Sequence, residues 1–357
     1  MKQRMFLKAA SAISPQHTFY PDAFLAPVVH TGDGKLRVID PDYRPYINPV
    51  AIRRMSRLMR MAISAAMQCL KDAGVDTPDA IITGTGRGSM TDMEVFMKDM
   101  ILLKEEALNP TIFIQSTYNA PNGWIALQSK STAYNQTYVH RGCSFELALL
   151  DAQLLMAETD KPKNILAGCY DELTDEYVVI KEKRDYWKIP IPPSLDLYQH
   201  NNTPGTISGE GATFFTFSNK PGDARAIIED VQLLQSATSA DLARETESLL
   251  ARHSMEVSSI DLVLTGLNAD SRHNELYGSV LQFLGPETPV GVFKHLCGEY
   301  DTATGFGLWL ANRILQMESV PEILLLNKHV VAVPKHLLLI NHYITGSAVV
   351  MLLSRVD

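Results

Sequence analysis

Residues 79–84 read DAIITG and residues 261–266 read DLVLTG. Each is a short apolar run that opens on Asp and closes on Gly, the signature of a buried strand. A helical stretch and a brief polar turn precede both. In the first copy, RRMSRLMRMAISAAMQCLKDAG (53–74) spaces Met55, Leu58, Met59, Ile63, Ala66 and Leu70 by three or four residues, and Gly74 is placed to close the helix. In the second, SADLARETESLLARHSM (239–255) sets Leu242, Leu249 and Leu250 on one side, with Ser239 or Asp241 as the cap.

The correspondence continues downstream. After Cys143, SFELALLDAQLLMAETDKPKNILAGCYDEL reads as a helix and then a strand; after Gly298, EYDTATGFGLWLANRILQMESVPEILLL reads the same way. Two copies of alternating strand and helix imply two similar α/β halves, with sheets buried between helical layers. We place the division after the strand-like Thr213 to Phe217, giving halves 1–218 and 219–357. Lys181 to Thr206, rich in Pro, Asn and aromatics and without periodicity, reads as a long loop or lid. The amino-terminal stretch MKQRMFLKAASAIS reads as a first strand, because Lys8 interrupts any signal-like apolar run.

Composition limits the function classes. The 357 residues are 46% apolar and 20% charged, with 32 basic and 40 acidic side chains, a net charge of −8. That balance fits a globular chain and argues against nucleic-acid binding, which needs clustered Lys and Arg. No apolar run approaches the roughly 18 residues of a membrane span. Cys69, Cys143, Cys169 and Cys297 are too few and too scattered for a disulfide framework, and no Cys/His spacing suits a metal. A reducing cytoplasm is the expected location.

Cys143 is the first chemical candidate. Thr137 to His140 reads as a strand, Gly142 permits a sharp turn, and Phe145, Leu149 and Leu150 begin an apolar helical stripe. A thiol at a helix start meets the positive end of the dipole and free N–H groups, which favour thiolate and an oxyanion. The same position also suits a small buried cysteine that fills a strand-to-helix junction.

Taken together, RRMSRLMRMAISAA (53–66), NPTIFIQSTYNAPNGWIAL (109–127), GCS (142–144), GEGA (209–212), KHLCGE (294–299) and INHYITGS (340–347) resemble, in order and spacing, the thiolase-fold condensing enzymes. The resemblance is specifically to the β-ketoacyl-acyl-carrier-protein synthases and their chain-length-factor relatives. It implies a doubled, five-layered α/β/α/β/α fold, usually dimeric, and a cysteine that accepts an acyl chain from phosphopantetheine on an acyl carrier protein. In that family a malonyl-carrier protein is then decarboxylated, and the carbanion attacks the acyl-cysteine.

That chemistry needs hydrogen-bond donors on the malonyl thioester oxygen, normally two histidines or a histidine and an asparagine. The stretch matching the first donor, LTGLNADSRHNELY, has Gly266 to Asn268 and no histidine at the position. At the second, Lys294 is retained but the histidine position holds Glu299. An ionised Glu only accepts; a Glu protonated by burial donates. Lys294 is expected to orient the site or bond Glu299. In the terminal loop, Ile344 and Thr345 replace residues of the family's glycine-rich gate. His273, His295 and His342 lie nearest the altered motifs, and Asn268 and Asn274 are possible amide donors that also suit turns. Glu210 is read as structural. Among Arg53, Arg54, Arg57 and Arg60, positions 53, 57 and 60 share a helical face, either for carrier-protein docking or as a solvated surface.

Three readings follow. The first is a subunit akin to a chain-length factor that pairs with a complete ketosynthase in fatty-acid or polyketide synthesis, including polyene or aryl-lipid pathways. Absence of both histidines favours it, and retention of Cys143 counts against its simplest form. The second is an active acyltransferase or condensing enzyme, as a homodimer or heterodimer, with Cys143 as nucleophile. The third is a thiol acyl-hydrolase, which needs a histidine base near Cys143.

Overall fold

The computed structural model describes residues 3–20, 24–327 and 333–356. Ten strands, β1 Met5–Ile13, β2 Ala80–Gly84, β3 Tyr134–Tyr138, β4 Asn164–Asp171, β5 Gly211–Ser218, β6 Ala226–Leu234, β7 Leu262–Thr265, β8 Val290–Val292, β9 His336–His342 and β10 Ala348–Arg355, form two five-stranded arrays. The first runs β3-β2-β4-β5-β1 and the second β8-β7-β9-β10-β6, and a three-residue pairing of β1 with β6 joins them. In each array the strand at the echoed sequence, β2 or β7, pairs in parallel with both neighbours, and the remaining pairings are antiparallel. The repeat read at 79–84 and 261–266 therefore marks equivalent strands of two arrays with the same connectivity.

They are accompanied, among others, by the helices α1 Arg57–Asp72, α2 Met90–Leu102, α3 Pro110–Ser116, α4 Ala120–Gln128, α5 Ser144–Ala157, α6 Asp175–Glu182, α7 Ser239–Arg252, α8 Gly278–Leu284, α9 Lys294–Cys297 and α10 Thr304–Met317. Strand alternation sorts side chains between layers. In β4, Ile165, Ala167 and Cys169 join the core around α5 and α10, whereas Leu166 and Tyr170 join the core around α1. In β9, Leu337 and Leu339 face α5 and α10 while Leu338 and Ile340 pack with α7 and α8. The result is the expected five-layered α/β/α/β/α arrangement. Both central helices lie between sheets, so α10 is apolar almost all round, with Phe306, Leu308, Leu310, Ala311, Ile314 and Leu315 buried.

Several boundaries differ from the sequence reading. The stretch 53–74 is interrupted: a short turn of helix, Pro49–Ile52, ends at Arg53, and Ser56 caps α1 by accepting from the Met59 N–H. Gly74 takes the left-handed conformation just beyond α1, as a closing glycine should. Thr238, not Ser239 or Asp241, caps α7, with Asp241 completing a reciprocal capping box. The strand expected at EILLL is a 3-10 turn, Glu322–Leu324; the sheet strand that follows α10 is His336–His342. The loop after α6 is pinned by Lys188, whose buried Nζ donates to the carbonyls of His200, Thr203 and Ala269 and to Thr203 Oγ1 at 2.7–3.0 Å.

Candidate active site

Cys143 sits where the sequence placed it, between edge strand β3 and central helix α5, but the junction is tighter than a simple helix start. Arg141–Cys143 forms a 3-10 turn, with Arg141 in the left-handed region at φ 51°. The Cys143 N–H donates to the His140 carbonyl at 3.2 Å, so that amide is already used within the turn. Ser144 Oγ accepts from the His140 N–H at 2.8 Å and lies 2.7 Å from the Arg141 carbonyl and 2.9 Å from that of Thr85. The thiol is 1% exposed. Burial pushes its pKa up, the nearby negative charge of Glu146 adds to this, and the Ser347 hydroxyl opposes it. Burial thus works against the thiolate form.

The thiol lines a cavity walled by Gly142 and Glu146 from the α5 end, Leu233 of β6, Asn341, His342 and Tyr343 at the end of β9, and Ser347, Ala348 and Val349. The cavity has no room for a water molecule. Gly142 is required there: a Cβ at this position would lie 2.1 Å from Tyr343 Cγ. Tyr343 begins the β9–β10 turn, closed by Tyr343 N–H to Ser347 O and Gly346 N–H to Tyr343 O, both 2.8 Å. Only Gly346 of that turn is left-handed, at φ 93°, so the β-branched Ile344 and Thr345 fit without strain. The Tyr343 hydroxyl meets Asp301, which pairs with Arg87 at 2.9 Å, and the Arg87 guanidinium lies 4.3 Å from the Tyr177 ring centroid.

Lys294, Glu299 and Asn268 come together as one buried group. Lys294 Nζ lies 2.8 Å from Glu299 Oε1, and Asn268 Nδ2 donates to Glu299 Oε2 at 2.8 Å. Asn268 Oδ1 accepts from the Asp270 N–H at 3.1 Å and its carbonyl accepts from Thr206 Oγ1 at 2.7 Å. The Glu299 backbone is clipped in place by Ile207 O and the Gly209 N–H. Both carboxylate oxygens of Glu299 therefore accept hydrogen bonds, one from a cation. Pairs this deeply buried cost about 3–5 kcal/mol when one partner is removed.

Of the three candidate histidines, His342 alone lines the Cys143 cavity. Its Nδ1 is 2.8 Å from the Tyr277 hydroxyl, its Nε2 is buried without a hydrogen-bond partner, and its ring centroid lies 5.1 Å from that of His273. Burial, reinforced by His273 and the Lys294 charge, holds His342 neutral. His295 on α9 is tied through Nε2 to the Ile323 carbonyl, 3.1 Å away, and burial lowers its pKa to about 4. Asn274 donates to the Asn201 carbonyl, which is turn chemistry.

The sequence reading missed Glu146. It lies on the third residue after Cys143, is 1% exposed, and leaves Oε2 without a hydrogen-bond partner. Burial pushes its carboxyl up to about 7 against the opposing pull of the Thr304 hydroxyl and the Lys294 charge. The available signal was one acidic residue inside the apolar stretch SFELALL, on a helix expected to pack between layers. Asp171 was also missed; it accepts from Gly86 N–H and from Thr302 N–H and Oγ1, and burial beside Asp301 raises its pKa.

The arginines do not form one face. Arg53 is exposed at the end of the preceding turn, Arg57 donates to Asp40 and to the fully buried Glu210 at 2.6 Å, and Arg60 lies over the Tyr43 ring at 5.6 Å. Glu210 also accepts from the Val38 and Leu173 N–H groups, in keeping with a structural role.

Among the described residues, no helix is long and apolar enough to cross a membrane. No curated protein matches the chain in sequence. Across its full length the fold resembles solved structures: a beta-ketoacyl synthase from Burkholderia phymatum STM815, with 14% identity, 100% of both chains covered and a TM-score of 0.83, and the ishigamide ketosynthase/chain length factor, with 18% identity, 100% of both chains covered and a TM-score of 0.82. A third is a type II PKS acyl-carrier protein in complex with its ketosynthase bound to the hexaketide, with 14% identity, 99% of this chain and 100% of that chain covered, and a TM-score of 0.75. The family model for the beta-ketoacyl synthase N-terminal domain matches residues 37–240, more than half of the chain. On that match, which spans α1, the Cys143 junction and Glu210, the chain belongs to the beta-ketoacyl synthase family.

Proposed function

We propose that this chain is a divergent, chain-length-factor-like subunit that pairs with a complete ketosynthase in an acyl-carrier-protein-dependent polyketide or fatty-acid pathway. The observation that carries this reading is the state of Glu299. At the position where the family resemblance puts a histidine donor, both carboxylate oxygens are engaged by Lys294 and Asn268. An ion-paired carboxylate cannot donate to a developing enolate oxygen, and the other donor position holds no histidine. Decarboxylation of a malonyl thioester therefore falls to the partner.

The surface around β3 supports a pairing role. This strand is an open sheet edge, and Ile101, Leu102, Phe113, Ile114, Leu127, Tyr134 and Val139 are exposed on it or on the neighbouring helices. An unpaired edge with apolar surroundings suits burial against a second ketosynthase-fold chain. The growing chain arrives on phosphopantetheine carried by the acyl carrier protein; a neighbour of this fold forms such a complex with its own carrier.

The test is co-expression with a complete ketosynthase and its carrier protein. A co-purifying heterodimer, a changed product length and no carbon dioxide release from malonyl-carrier protein by this chain alone are the expected results. Absence of a complex together with unchanged products would overturn the reading.

A further inference from the structure

Glu146 Oε2, Asn341 Oδ1 and His342 Nε2 are buried without hydrogen-bond partners, and all three side chains line the cavity that holds the Cys143 thiol. Buried polar atoms are ordinarily satisfied, so three on residues around one closed space, too small for water, leave a demand for hydrogen bonds that only a rearrangement of its walls can meet. Glu146 is placed for more than binding. It stands three residues after Cys143, the residue that caps α5, lines the same cavity, and its charge reaches the thiol.

We propose that Glu146 is a catalytic residue, the group that exchanges a proton with Cys143 when the thiol takes an acyl chain from a thioester. The Sγ proton passes to the Glu146 carboxylate as sulfur bonds to the thioester carbonyl carbon. Collapse of the tetrahedral adduct breaks the bond to the departing sulfur, and Glu146 returns the proton to that sulfur. A thioester and Cys143 thiol become acyl-Cys143 and a free thiol, with no other reactant. Tyr343 has to leave Gly142 for the chain to enter.

The titratable groups facing Glu146 are Cys143 of the turn that precedes its helix, Cys169 of β4, Lys294 of α9, and His342 and Tyr343 from the end of β9. His342 is neutral, and Lys294 is committed to Glu299 while its charge still reaches Glu146. With its carboxyl at about 7, Glu146 samples both protonation forms at neutral pH, the condition for a group that takes and returns a proton. Its negative charge raises the thiol, so the pair favours holding one proton between them. This step neither requires nor follows from pairing with a ketosynthase.

The experiment follows acylation of the full chain by hexanoyl-N-acetylcysteamine, using intact-protein and peptide mass spectrometry between pH 5.5 and 10. Wild type, Cys143→Ala, Glu146→Gln and Glu146→Asp are compared. The expected wild-type rate rises through an inflection near pH 7 as Glu146 ionises, and Cys143→Ala gives no adduct. Glu146→Gln loses that inflection and is about a hundredfold slower at pH 7.5, yet it approaches wild type above pH 9, because the thiol ionises more readily without the neighbouring charge. A purely structural Glu146 would not move the profile in this way. The proposal is overturned by an unchanged Glu146→Gln rate and profile, or by no wild-type adduct at Cys143. If the Gln variant fails to fold, wild-type alkylation of Cys143 by iodoacetamide decides: an inflection near 7 is expected, and a profile rising only in the thiol range overturns the assignment.

Discussion

Replacing Lys294 by methionine tests whether the Glu299 group is a locked acceptor. The substitution keeps the length of the side chain and removes the ammonium 2.8 Å from Glu299 Oε1. Glu299 would then keep the Asn268 amide on its other oxygen, within a site where Lys294 and Glu299 are 0% and 4% exposed. Leaving one charge of such a pair costs about 3–5 kcal/mol. At about 2.1 cal/mol/K per residue, 357 residues unfold with ~0.75 kcal/mol/K of entropy, so the midpoint should fall by about 4–7 °C. Lys294→Met/Glu299→Leu removes both charges and should recover most of that loss, since an apolar pair of similar volume is tolerated. Thermal unfolding at pH 7.5 measures all three proteins. A Lys294→Met midpoint within about 1 °C of wild type, or a double variant worse than the single, would refute the reasoning.

Tyr343→Ala should open the cavity over Gly142 and raise the iodoacetamide rate of Cys143 at least about tenfold, read by peptide mass spectrometry, because access rather than thiol chemistry is what Tyr343 withholds. Glu146 and Glu172 both have carboxyls raised to about 7 by burial. A carboxyl raised in the folded state lends stability below its unfolded pKa near 4.5 and loses it as pH climbs through about 7. Glu146→Gln and Glu172→Gln should therefore each flatten the fall in unfolding free energy between pH 5 and 8, by up to about 3 kcal/mol in urea titrations. In urea titrations, Arg57→Ala strips the buried Glu210 of its cation and should destabilise by about 3–5 kcal/mol, whereas Arg53→Ala should stay within about 0.5 kcal/mol.

The layered fold was legible because buried strands and sided helices write themselves locally. DAIITG and DLVLTG needed only their own six residues and the order of their neighbours to place β2 and β7. Boundaries set by single hydrogen bonds were less visible: the break at Arg53–Ser56 depends on the Ser56 cap, and nothing in the arginine spacing reveals it. Within the candidate site, Cys143, Lys294, Glu299 and Asn268 were singled out by motif position. The Lys294–Glu299 bond was also expected from the motif, whereas the Asn268 contact was not, because Asn268 and Glu299 meet across 31 residues of chain. Glu146 was hidden for a different reason. Its significance comes from being enclosed by sheets on both sides of α5, a fact about layers that the helical stripe around it does not state.

Glu299 and Glu146 feel the charge of Lys294 unequally, and that inequality makes a further prediction. Glu299 holds the ammonium directly and has both oxygens engaged. Glu146 feels the same cation without touching it, has one oxygen unpartnered, and is pushed up to about 7. Sites that separate two carboxyl groups in this way assign one to hold charge and the other to move a proton. Because Lys294 pulls the Glu146 carboxyl down, Lys294→Met should shift the acylation inflection of Cys143 to higher pH than wild type, and the neutral-pH rate should fall as less of Glu146 is ionised. Thioester acylation measured against pH decides the matter. An inflection that stays near 7 or moves to lower pH would mean that the lysine does not set the proton affinity of Glu146, and the division of labour between the two carboxylates would have to be abandoned.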